Sequence, residues 1–90
     1  MALVWPDKDP DEILDYQVDW TGRLDGDTIA TSTWILPTGI TQNSVDQSTT
    51  HTTIWLSGGV DGKTYEVTNR ITTAGGRTYD QSIDIRIISK

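Results

Sequence analysis

The sequence predicts a single all-β domain, and three observations predict it. Strand formers dominate the 90 residues: Thr is the commonest, joined by Ile, Val, Trp and Tyr, against two Glu, three Ala and one Met. Apolar residues recur at period two, and no window sustains a helical period. Turn-forming combinations of Gly, Asp and Pro recur at the spacing of a sandwich or a small barrel. A domain of this length has a thin core. The chain has no cysteine, so neither a disulfide framework nor a thiolate metal site is available. Its four Trp and three Tyr, with no Phe, supply large apolar area that carries a polar handle.

Residues 1–12 read as an acidic N-terminal arm with a short first strand at Leu3–Trp5, and residues 13–90 as the folded domain. In "ILDYQVDW", Leu14, Tyr16, Val18 and Trp20 share one face, and Asp15, Gln17 and Asp19 the other, which describes a half-buried strand. Asp25-Gly26 is a turn signal. In "TIATSTWIL" the face of Ala30, Ser32, Trp34 and Leu36 is expected inward, and Pro37 and Gly39 end the strand. Residues 38–48 are polar and read as a loop or a short edge strand. "STTHTTIWL" should turn Ile54 and Leu56 inward and Trp55 outward. "KTYEVTNRITT" aligns Tyr65, Val67, Asn69 and Ile71, and "RTYDQSIDIRIIS" aligns Ile83, Ile85 and Ile87. These last two strands, joined through residues 74–76, form a hairpin.

The net charge of −6 is carried entirely by residues 1–27, which hold eight acids and two bases. Residues 28–90 hold five of each. An acidic surface repels phosphate backbones, which argues against nucleic-acid binding. No stretch approaches the roughly 20 apolar residues of a membrane span. "MALVWPDKDP" lacks the basic start of a signal peptide, so assembly in a cytoplasm is expected.

Chemistry is hard to find. His51, the one histidine, sits in a run of Thr with no nucleophile elbow near it. A glycosidase-like carboxylate pair needs a cleft that raises one pKa, and a thin sandwich offers none. Asp7, Asp9 and Asp11 alternate as weak cation ligands, but the glycine and distal Glu of a calcium loop are missing and Pro10 stiffens the stretch. The Gly pairs at 58–59 and 75–76 precede no helix and read as turns, not phosphate loops. No cofactor is expected. The residues expected to meet a partner are Trp5 and Trp55, as anchors, with Asp7 and Asp9 of the arm.

The stretch "LSGGVDGKTYEV" narrows the fold. Leu56, Gly62 and Tyr65, with the Tyr three residues after the Gly, resemble the tyrosine corner of immunoglobulin-like and fibronectin type III sandwiches. Tyr16-x-Val18-x-Trp20, followed by a strand containing Trp34, resembles the second and third strands of the latter. An antiparallel sandwich of six to seven strands follows, with Trp20, Trp34, Leu56, Gly62 and Tyr65 structural; a six-stranded antiparallel barrel is the alternative.

Taken together, "KDPDEILDYQVDW", "GDTIATSTWILP", "IWLSGG", "YEVTNRITT" and "GGRTYDQSIDIRI" resemble a family of small tailed-phage and prophage proteins described as fibre–tail adaptor or immunoglobulin-like virion proteins. The resemblance runs from about Lys8 to Ile87, and "WLSGG", "VTNRITT" and "GGRT" are its most specific parts. It implies a non-enzymatic structural component near the neck, tail, fibre or capsid. It also implies a place in the virion, other virion proteins as partners, and several copies per particle. A carbohydrate-binding or adhesion module is the alternative, and it predicts a flat aromatic platform.

Overall fold

The computed structural model describes residues 3–90. Seven strands and one helical turn follow in chain order: β1 Leu3–Val4, β2 Leu14–Asp19, α1 Thr21–Leu24, β3 Ile29–Ile35, β4 Ile40–Gln47, β5 His51–Gly58, β6 Thr64–Thr73 and β7 Thr78–Arg86. They form a four-stranded sheet ordered β1-β7-β6-β3 and a three-stranded sheet ordered β2-β5-β4. No ladder joins the two sheets among the described residues, so the molecule is a sandwich and not a closed barrel. In the constant-type immunoglobulin arrangement the first strand pairs with the second. Here β1 crosses to the other sheet and runs parallel to β7, with Leu3 opposite Ile83.

Period-two patterning does what it predicts. Tyr65, Val67, Asn69, Ile71 and Thr73 of β6 are all buried, as are Ile83, Ile85 and Ile87 on and just past β7. Ile54 and Leu56 face them from β5 with no exposed surface. Each such side chain contributes roughly 1.5–3 kcal/mol on leaving water. On β3 Trp34 is buried and Ser32 half-buried as expected, but Ala30 is exposed: the register shift between Ile29 and Thr31 turns Ile29 inward in its place.

The corner between β5 and β6 closes as a tyrosine corner. Gly58, Gly59 and Gly62 all have positive φ. Tyr65 is buried, and its hydroxyl accepts the Val60 N–H at 3.0 Å. Gly59 is the tightest point: a Cβ there would sit 2.6 Å from Cγ1 of Ile87.

Two elements differ from the sequence reading. Of the two readings of residues 38–48 the edge strand holds, but residues 40–47 form a full eight-residue one, exposed at every position after Ile40. Trp20 lies just past β2 and begins α1, while the turn is made by Asp25 and Gly26 in left-handed conformations. The ring of Trp20 is still directed inward and is almost fully buried.

Candidate docking face

Antiparallel register decides which side chains share the outer face of the three-stranded sheet. Asp15 and Ser44 flank Trp55, Gln17 and Asp46 flank Thr53, and Asp19 lies opposite His51. Trp55 points outward because Ile54 and Leu56 point in, and it is 41% exposed. Ile13 is also exposed and precedes β2 on the same face by alternation. Strands β2, β4 and β5 contain Asp15, Asp19 and Asp46 and no Lys or Arg. The face is therefore an aromatic centre with acids around it.

At one end of this face His51 is held from both sides. Its Nδ1 lies 2.7 Å from the Thr50 hydroxyl and its Nε2 3.5 Å from Asp19. The Thr21 hydroxyl and amide hold the Asp19 carboxyl below its ordinary range, with His51 adding to the effect. A shallow cavity of about 250 Å³ opens beside it, lined by Gln17, Asp46, Gln47, Ser48, His51 and Thr53. The Thr hydroxyl and the carboxylate do not reproduce a nucleophile–base–orienter chain. Thr50 is the immediate sequence neighbour of His51, and the cavity beside them is shallow and open. The geometry suits recognition of polar groups.

The N-terminal residues are placed differently from a free arm. Trp5, expected to face a partner, is buried. Its ring stacks on Tyr16 at a centroid distance of 4.6 Å and lies 5.9 Å from Trp34. The physical reason is the pairing with β7: Trp5 N–H donates to the Asp84 carbonyl at 3.0 Å, which turns the indole between the sheets. Lys8 has no exposed surface, and its Nζ donates to the carbonyls of Gly58 at 2.7 Å and Asp9 at 2.9 Å. Burial pushes its ammonium below the ordinary lysine value against the pull of Glu12, Asp9 and Asp11.

The acids that follow hold their own turn. Asp9 Oδ1 accepts the Asp11 N–H, Asp9 Oδ2 the Lys90 N–H, and Glu12 Oε1 both the Asp9 N–H and the Lys90 ammonium. The carboxylates of Asp7, Asp9 and Asp11 do not converge, and among the described residues no group of three or more His, Asp or Glu could hold a metal ion.

Sequence reasoning missed the polar centre of the core. Asn69 is fully buried between the sheets. Its Oδ1 accepts from Trp20 Nε1 at 3.0 Å and from the Thr52 hydroxyl at 2.7 Å, and its Nδ2 donates to Ser32 Oγ and the Thr33 carbonyl. The signal was present: Asn69 is the one amide on an inward face otherwise made of Tyr65, Val67 and Ile71. Lys8 was legible only as the lone base among the first acids.

A family model described as "Podophage GP4 fiber-tail adaptor protein gp77" matches residues 8–86. No curated protein matches the chain. The chain belongs to this podophage fibre–tail adaptor family. It is a non-enzymatic structural component of the phage tail, part of the virion, and it binds other virion proteins.

Proposed function

We propose that this adaptor joins its neighbours through the outer face of β2, β5 and β4, with Trp55 as the anchor. One observation carries the reading: Trp5, Trp20 and Trp34 are buried, and Trp55 alone of the four tryptophans is exposed. An exposed Trp centred on a rigid sheet is the residue type that dominates interface energetics, where truncation commonly costs about 2 kcal/mol or more. The lone exposed indole also leaves the aromatic platform of a glycan-binding module unformed.

Asp7, exposed between the backbone bonds that Trp5 and Lys8 make to β7, is the acid of the N-terminal stretch that we assign to a second, electrostatic contact. Several copies in one particle would let individually weak contacts sum by avidity.

Complementation tests the reading. A phage lacking the gene is supplied with wild-type protein or with Trp55→Ala. The variant should fold with an unchanged circular dichroism spectrum and an unchanged melting temperature. Its incorporation should fall about tenfold or more, as a loss near 1.4 kcal/mol requires. Wild-type incorporation of Trp55→Ala would refute the assignment.

A further inference from the structure

The sandwich has four sheet edges; β2 buries its core-facing Tyr16 and Val18, and β4 is the one whose core-facing side is left open. β1 is only two residues long, which protects its edge. β3 carries a register shift between Ile29 and Thr31, and the Ala30 carbonyl on it accepts from Gln47 Nε2 at 3.3 Å. β4 shifts register between Gln42 and Ser44, after which Ser44–Gln47 pair regularly with Thr52–Trp55. Val45 lies opposite Ile54, which is fully buried, so Val45 faces the core side of the sheet. Yet Val45 is 48% exposed. A cavity of about 190 Å³ opens beside it, lined by Ser32, Val45, Asp46 and Gln47. The edge carries neither Pro nor Lys; its guards are the register shift before Ser44 and Asp46, whose Oδ1 accepts the Gln47 N–H at 2.8 Å and leaves Ser44–Asp46 for pairing.

We propose that residues Ser44–Asp46 of β4 are a strand-addition site for an extended, basic segment of a partner virion protein. Such a segment would extend the three-stranded sheet by main-chain hydrogen bonds and place one apolar side chain over Val45 in the cavity. Charge complementarity selects the occupant. The strands of this sheet carry Asp15, Asp19 and Asp46 without a Lys or Arg, so Lys or Arg flanking the apolar residue completes the contact. A second copy of this chain, at net charge −6, would bring more negative charge to the same edge. The inference rests on the reading that this sheet is the docking surface, and it adds the edge and the partner's chemistry to it.

Overlapping synthetic peptides that tile the tail and fibre proteins of the same phage are the probe. Binding is followed by fluorescence anisotropy, and amide hydrogen exchange of the full-length protein locates it. A lysine-bearing peptide should bind, protect amides within Ser44–Asp46 and weaken as salt is raised. Val45→Lys, at an exposed position, should fold normally and lose about tenfold or more in affinity.

Binding that protects no β4 amide, and that Val45→Lys leaves intact while Trp55→Ala abolishes it, would overturn strand addition and keep the Trp55 face. Concentration-dependent protection of Ser44–Asp46 in the protein alone would assign the edge to a second copy and overturn the basic partner. No peptide bound, together with normal incorporation of Val45→Lys into particles, would overturn the proposal; normal incorporation of Trp55→Ala as well would remove the reading it rests on.

Discussion

At the scale of single residues, the core is specified by polar groups as much as by apolar ones. Asn69 ties β6 to β3, to Thr52 of β5 and to Trp20, and so joins both sheets through one amide. Asn69→Leu keeps the branched shape and strands the Thr33 carbonyl, and the Thr52 hydroxyl loses its acceptor. Unsatisfied buried groups cost about 1–3 kcal/mol each, so urea denaturation should show a loss of about 2–4 kcal/mol.

Acids set a second residue-scale behaviour. Asp27 is held below the ordinary carboxylate range by the Thr73 hydroxyl first, then by the Thr28 and Gly75 amides. Asp9, Glu12, Asp19 and Asp80 are lowered too, by Lys90, Lys90, Thr21 and Arg70 respectively. A lowered folded-state value means the unfolded chain binds more protons between the two values. The stability these groups add is complete above the ordinary values and lost as pH falls through the lowered ones. The melting temperature should drop steeply below pH about 4. Asp27→Asn should melt lower at neutral pH and show a shallower acid limb. An acid limb identical to wild type would contradict the assignment of Asp27.

At the scale of elements, what was legible depended on whether a strand has one wet face. β5, β6 and β7 alternate cleanly because their inward residues meet the opposite sheet, and their faces could be read from the chain. β4 could not. It is an edge strand with a register shift, wet on both faces after Ile40, so the alternation that marks a strand has nothing to report. β1 was expected within Leu3–Trp5 and is there; what the chain did not show is where it pairs. Two residues carry no period, and their parallel partner lies some 80 positions away in sequence. The burial of Trp5 and Lys8 followed from that missed pairing.

The outward direction of Trp55 was legible because its neighbours Ile54 and Leu56 are apolar. The acids and the open edge that surround it come from β2 and β4, and only the register assembles them. The N-terminal segment gives the element-scale prediction. Trp5→Ala removes a stacked, buried indole and should cost about 3–5 kcal/mol, read as a lowered denaturation midpoint at unchanged slope. A loss below about 1 kcal/mol would show that residues 3–8 are not part of the core.

At the scale of the whole molecule, the sandwich divides its labour between sheets. The β1-β7-β6-β3 sheet carries the hairpin and receives the N-terminal segment, and the Arg70–Asp80 pair, at 2.8 Å, bridges its outer face. The β2-β5-β4 sheet presents the uncovered indole and the acids to whatever lies outside. A tail adaptor needs a surface that its neighbours can cover, and the β2-β5-β4 sheet offers one.

Hydroxyl-radical footprinting of tryptophan in intact particles against the isolated protein tests it most directly. Trp5, Trp20 and Trp34, buried within the domain itself, serve as internal references. The account predicts that Trp55 is oxidised readily in the isolated protein and is protected in the particle. Equal oxidation of Trp55 in both would contradict it.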